Sequence, residues 1–110
     1  VSLVETAIEK YASIGEKIEI QLTELDIHNT DNSAKGNNAL TAKYKELFEM
    51  LVRLDKNNEA NITNVTFWGL SDSDTWLTNF KGERSYPLLF NGDLTSKGCF
   101  DAIISVGKQN

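Results

Sequence analysis

Strands separated by a whole helix predict an α/β chain whose strands run parallel. Three observations carry that prediction. Ile18-Glu19-Ile20-Gln21-Leu22-Thr23-Glu24 alternates apolar and polar residues with the period of a half-buried strand. A second β-prone run, Val65-Thr66-Phe67-Trp68, closes on Gly69. The roughly 40 residues between the two runs hold a complete amphipathic helix, so their connection is a crossover and not a hairpin.

Each element has its own local reason. Ser2 and Glu5 read as a capping box ahead of Val4, Ala7, Ile8, Tyr11, Ala12 and Ile14, which recur at helical spacing until Gly15, so a helix is expected over 3–14. Residues 18–24 form the first strand, which ends at charges. His28 to Asn38 is rich in Asn, Asp, Ser and Gly, whose side chains compete for backbone hydrogen bonds, and is expected to be a loop. Leu40, Tyr44, Leu47, Phe48, Leu51 and Leu54 repeat at three and four with Lys43, Lys45, Glu46, Glu49 and Arg53 opposite, predicting a helix over 39–56. The second strand is expected at 64–69. The sequons Asn61-Ile62-Thr63 and Asn64-Val65-Thr66 overlap its start and are read as strand residues. Ser71 to Pro87 is polar and aromatic without a period, a long structured loop, and Pro87-Leu88-Leu89-Phe90 then meets the turn pair Asn91-Gly92. Ser96 is placed to cap a last helix in which Cys99, Ala102, Ile103 and Val106 face inward and Gly107 stops the pattern. Two parallel strands make a poor free-standing sheet, so helix, strand, helix, strand, helix reads as a piece of a larger fold.

Composition narrows the partners. Sixteen acidic against eleven basic residues in 110 give a net charge of -5, which repels phosphate backbones and anionic lipid, so neither nucleic acid nor a membrane is expected. No apolar run approaches the roughly 20 residues that span a bilayer, and the N-terminus has no basic region followed by an apolar stretch. The single Cys99 allows no intrachain disulfide and no zinc site of its own. Asp72-Ser73-Asp74 begins like a calcium loop but lacks the later oxygen ligands, and neither a G-x-S-x-G elbow nor a phosphate-cradling glycine loop occurs. No metal and no cofactor is expected.

Two constellations remain. Glu24 and Asp26 lie two residues apart where the first strand runs out, which puts both carboxylates on one side if the chain stays extended. At the carboxyl end of a parallel strand they are either a catalytic pair or the charged finish of a strand. Trp68 and Trp76 bracket an acidic, hydroxyl-rich loop containing Asp72 and Asp74. Their indoles either fill a core or offer flat apolar faces to a sugar ring. His28 follows in a polar loop without a partner fixed by sequence and reads as a surface residue.

The run Lys17-Ile18-Glu19-Ile20-Gln21-Leu22-Thr23-Glu24-Leu25-Asp26-Ile27 resembles the nucleophile signature of family 10 glycoside hydrolases, the endo-β-1,4-xylanases. Val65-Thr66-Phe67-Trp68-Gly69-Leu70-Ser71-Asp72-Ser73-Asp74-Thr75-Trp76-Leu77, with Pro87-Leu88-Leu89-Phe90-Asn91, resembles the last strand and loop of that family. The resemblance implies that residues 1–110 are the C-terminal segment of one (β/α)8 TIM barrel, from helix six to helix eight, incomplete without the first six strands. It also implies that Glu24 is the catalytic nucleophile and Asp26 a carboxylate that supports its hydrogen bonding. Trp68 would be the floor and Trp76 the cover of the sugar site. Thr95-Ser96-Lys97-Gly98-Cys99-Phe100 departs from the family's lysine-proline-alanine-tyrosine run, which bears on the start of the last helix more than on chemistry.

The family's acid/base glutamate follows an Asn on an earlier strand, and no W-x-x-x-N-E occurs here. A retaining glycosidase needs two carboxyl groups on opposite sides of the scissile bond, and Asp26 comes from the same strand as Glu24. The resemblance therefore implies a xylanase fragment, inactive alone, whose partners are xylan or xylo-oligosaccharide and the N-terminal two-thirds of the same enzyme. It further implies a secreted or extracellular setting. The alternative is a non-catalytic carbohydrate-binding or interaction fragment.

Overall fold

The computed structural model describes residues 1–109, with helices α1 (Ser2–Ala12), α2 (Ala34–Lys56), α3 (Leu77–Lys81) and α4 (Gly98–Gln109) and strands β1 (Glu19–Leu25) and β2 (Asn61–Phe67). β1 and β2 pair in parallel, and α2 is the crossover between them, as the alternation and the intervening helical period predict.

α2 is the spine of the core. Its three-and-four spacing puts Leu47, Met50, Leu51 and Leu54 against Ile8 of α1 and Ala60, with Ile20, Leu22, Ile62 and Val65 of the strands packed on them. Toward its N-terminal half, Leu40 and Tyr44 meet Cys99 of α4, with Phe67, Leu89 and Ile103 around them. Arg53 pairs with Glu5 and so ties α2 to α1. The strand residues left exposed are polar: Glu19, Gln21, Thr23 and Glu24 on β1, and Asn61, Thr63, Asn64 and Thr66 on β2. α2 thus covers Ile20 and Leu22. What stays unsatisfied is the sheet itself, in which each of two strands keeps one free edge.

Several boundaries differ from expectation, each for a local reason. The Ser2–Glu5 capping box does not form: Val1 is the N-cap, Ser2 lies inside α1, and Thr6 Oγ1 donates to the Ser2 carbonyl at 3.0 Å. α1 ends at Ala12, short of Ile14. α2 begins at Ala34 rather than at residue 39, because Ser33 Oγ accepts from Gly36 N–H at 3.3 Å and Asp31 Oδ1 accepts from Ser33 N–H at 2.9 Å. The small polar residues that disfavour a helix interior here build its start. A Cβ on Gly36 would lie 2.0 Å from the Asp31 carbonyl oxygen, so only glycine fits that turn. β2 starts at Asn61 and not 64, with Ile62 opposite Ile20. The stretch expected as a loop over 71–87 contains the five-residue α3. α4 starts beyond Ser96 and runs through Gly107, which is exposed and has open space where a side chain would be.

Candidate active site

A strict two-residue period would send Glu24 to the side of Ile20 and Leu22, into the core. The pairing prevents this. Leu22 stands opposite Val65 and Leu25 opposite Phe67, so three steps along β1 match two along β2. The resulting bulge falls on Thr23 and Glu24, which are both exposed, and Leu25 returns to the packed side. A bulge re-aims side chains in this way, and here it turns Glu24 onto the open face.

The pairing continues past β2, where Trp68 N–H donates to the Leu25 carbonyl at 2.9 Å. Gly69 follows at φ +131, in the region that favours glycine, and a Cβ there would sit 2.7 Å from Leu88 Cδ1. The chain can leave the sheet at that angle only as glycine, and the Trp68 indole is left beside the end of β1, half exposed. Trp76 returns from the far side as the N-cap of α3. Its indole N–H donates to Asp26 Oδ2 at 2.7 Å, and its ring packs on Phe80 at a centroid distance of 4.6 Å.

Glu24, Trp68 and Trp76 together line an open pocket of about 300 Å³, and Asp26 is joined to it through Trp76. All four residues singled out by sequence thus meet at the carboxyl end of the sheet. One carboxylate between two flat apolar faces suits a ligand with polar edges and C–H faces, such as a sugar ring. Among the described residues Glu24 is the one carboxylate lining this pocket, and no group of three or more His, Cys, Asp or Glu side chains is disposed to hold a metal ion. No helix among them is long and apolar enough to cross a membrane.

The acidic loop plays a different part from the one its composition suggests. Asp72 is buried and pairs at 2.7 Å with buried Lys97. Asp72 Oδ1 also accepts from Leu88 N–H at 2.8 Å, while Lys97 Nζ donates to the Tyr86 carbonyl at 3.0 Å. Asp74 accepts from Ser71 Oγ at 3.1 Å. Both carboxylates fasten the excursion that carries Trp76 and neither lines the pocket. Beneath it, Tyr44 is buried and donates to the Pro87 carbonyl at 2.6 Å, and burial pushes its phenol far above the ordinary value. Burial likewise raises the thiol of Cys99, which points at the Leu88 carbonyl. Both stay neutral supports.

His28 is exposed, as its loop suggested, but it is not without partners. Its Nδ1 lies 2.9 Å from Ser85 Oγ and its Nε2 3.3 Å from Glu83 Oε1. The Lys97–Asp72 and His28–Ser85 contacts were invisible in sequence because the partners lie 25 and 57 residues apart. The one local signal for α3 is Thr75, whose Oγ1 accepts from Leu77 N–H at 3.2 Å.

Comparison with known proteins identifies the family and the fold. The sequence profile of Glycosyl hydrolase family 10 matches residues 1–106. Endo-1,4-beta-xylanase B of Butyrivibrio fibrisolvens is 42% identical over 104 residues, which are 94% of this chain and 16% of that protein. The endo-1,4-beta-xylanase of Geobacillus stearothermophilus is 34% identical over 110 residues, 94% of this chain and 33% of its own length. The chain therefore spans about a third or less of these relatives. Among solved structures, xylanase XynB of Paenibacillus barcinonensis, in complex with a conduramine derivative, superposes with a TM-score of 0.78 at 31% identity over 94% of this chain and 33% of that one. The Clostridium thermocellum xylanase 10B, complexed with xylohexaose, gives a TM-score of 0.79 at 33% identity over 94% of this chain and 19% of that one. The chain belongs to glycosyl hydrolase family 10, in which it forms the C-terminal segment of the (β/α)8 barrel.

Proposed function

We propose that this chain carries the catalytic nucleophile of a retaining endo-1,4-β-xylanase and acts once the N-terminal two-thirds of the barrel complete it. The observation that carries the proposal is the bulge that turns Glu24 into a pocket walled by Trp68 and Trp76. Xylan is the substrate by the names of the relatives, one of which is complexed with xylohexaose. A polymer of that size is met outside the cell, which favours a secreted enzyme.

In a retaining glycosidase the nucleophile and the acid/base lie about 5–5.5 Å apart on opposite sides of the glycosidic bond. A Glu24 oxygen attacks the anomeric carbon, the bond to the leaving sugar oxygen breaks, and that oxygen takes a proton from the acid. Water, deprotonated by the same group, then displaces Glu24. Trp68 and Trp76 supply apolar faces that hold the ring for attack. Asp26 accepts from the Trp76 indole and is a support, not the acid, because it approaches from the strand that bears Glu24. The acid/base must come from the missing strands, so residues 1–110 alone are inactive.

The presence of a single carboxylate in the pocket favours one alternative, a fragment that binds sugar without cleaving it. A chimera of this chain with the N-terminal portion of the Paenibacillus barcinonensis barrel separates the two. Xylan hydrolysis by the chimera, absent from the lone chain and lowered at least about a thousandfold by Glu24→Ala, is the expected result. Hydrolysis by the lone chain, or an unaffected Glu24→Ala chimera, overturns the proposal. Unchanged xylo-oligosaccharide binding without turnover supports the alternative.

A further inference from the structure

The segment leaving β1 and the excursion carrying α3 are stitched together at two points that form a closed circuit. Asp26 holds the Trp76 indole at 2.7 Å. Two residues further along the same segment, His28 Nδ1 meets buried Ser85 Oγ at 2.9 Å. Ser85 N–H in turn donates to Thr78 Oγ1 at 3.1 Å, and Thr78 lies on α3, two residues beyond Trp76. The path from His28 through Ser85 and Thr78 thus arrives at the helix whose N-cap, Trp76, is an aromatic wall of the pocket.

α3 cannot fix its own orientation. It has five residues and ends at Gly82 in a left-handed conformation, far below the length at which a helix is stable in itself. Its direction is set by what holds its two ends. Tyr86 N–H donates to the Asn29 carbonyl at 2.7 Å and Asn29 Nδ2 to the Tyr86 carbonyl at 3.3 Å, which returns the chain to the β1 exit, and Asn29 N–H makes a longer contact of 3.5 Å with Ser85 Oγ. The imidazole makes the shorter bond to Ser85 and reaches further into the turn, because its second nitrogen lies 3.3 Å from Glu83. Both partners are polar, and although His28 is exposed as a whole, only 28% of its side chain is accessible.

We propose that His28 is a positioning residue for Trp76: by anchoring Ser85 it sets the tilt of α3 and hence the seat of the indole over the Glu24 pocket. The consequence for substrate rests on the reading of that pocket as the sugar site, whereas the effect on the indole does not. The side chain touches no substrate, so its loss weakens binding of the ring and leaves the bond-breaking step alone.

The test uses the chimera described above, with His28→Ala and the conservative His28→Asn, whose amide can still reach Ser85. The Trp76 indole N–H resonance is assigned by its loss in Trp76→Phe. His28→Ala is expected to shift that resonance upfield as the Asp26 bond lengthens, and to raise KM for xylo-oligosaccharide about fivefold, the equivalent of one neutral hydrogen bond, while kcat stays within about twofold. His28→Asn is expected to restore both. An unmoved indole signal in His28→Ala, or a lowered melting temperature with KM unchanged, overturns the inference. A chimera that is inert, or in which Trp76→Phe leaves KM unaltered, refutes the reading of the pocket instead, and the indole signal still decides the role of His28.

Discussion

The layer formed by α2 on β1 and β2 and the excursion from Gly69 to Lys97 solve the same problem, holding backbone in place, by different means. The layer relies on apolar burial repeated at regular spacing: Leu47, Leu51 and Leu54 recur along one helix face against alternating strand residues. The excursion has only the short α3, and depends on single polar contacts such as Asp72–Lys97, His28–Ser85 and Tyr44–Pro87. Burial is non-directional and tolerates exchange among residues of similar volume. A buried ion pair does not, since removing one partner strands the other in a place without water.

Conservative substitution should expose that difference. Lys97→Met keeps the length of the side chain but leaves Asp72 buried and unpaired, and is expected to cost about 3–5 kcal/mol. Leu54→Met in the layer is a near-volume-conserving change at a fully buried site, and is expected to cost less than about 1.5 kcal/mol. Denaturant unfolding of the completed barrel measures both, and equal costs would abolish the distinction. The double variant Asp72→Leu with Lys97→Met sharpens it, with an expected cost well below that of Lys97→Met alone because no charge is then left stranded.

Tyr44 lies where the two regions meet, its ring in the α2 core and its hydroxyl on the Pro87 carbonyl. Tyr44→Phe preserves the first and deletes the second, leaving a buried carbonyl without that donor, and is expected to cost about 1–2 kcal/mol by the same measurement. A cost near zero would mean that the excursion is held from the Asp72 side alone. Cys99, whose weak S–H contact reaches the neighbouring Leu88 carbonyl at 3.6 Å, makes a poor substitute for it.

The same contrast decides what was legible in sequence. Both strands, the body of α2 and the apolar side of α4 followed from spacing, because one side of each is packed and the period survives in the residue order. Glu24, Asp26, Trp68 and Trp76 were singled out by type and motif, and the structure brings Glu24, Trp68 and Trp76 to one pocket with Asp26 bonded to Trp76. The bulge that gives Glu24 its direction was not legible, since it exists only as a mismatch between two strands. Nor was the role of Lys97 or His28, since a lysine or histidine in a polar stretch carries no mark of a partner on a different loop. The start of α2 was missed for the opposite reason: Asp31, Ser33 and Gly36 are loop residues by propensity and become a cap only through the bonds they make to one another.

That cap gives the smallest effect of the set and one that depends on pH. Hydrogen bonds from the Ser33 side chain and backbone, with a smaller contribution from Lys35, hold the Asp31 carboxyl below its ordinary 3.8. A carboxylate whose pKa is lowered by folding stabilises the folded chain above the ordinary value, and that contribution disappears as pH falls through the lowered one. Wild type should therefore exceed Asp31→Ala in melting temperature by a constant, small margin at neutral pH. The margin should narrow below 3.8, because the protonated side chain no longer offers a charged acceptor to Ser33. Thermal scans of both proteins at matched ionic strength read that margin, and a margin for Asp31 that persists unchanged into acid would show that its backbone geometry, and not its charge, starts α2.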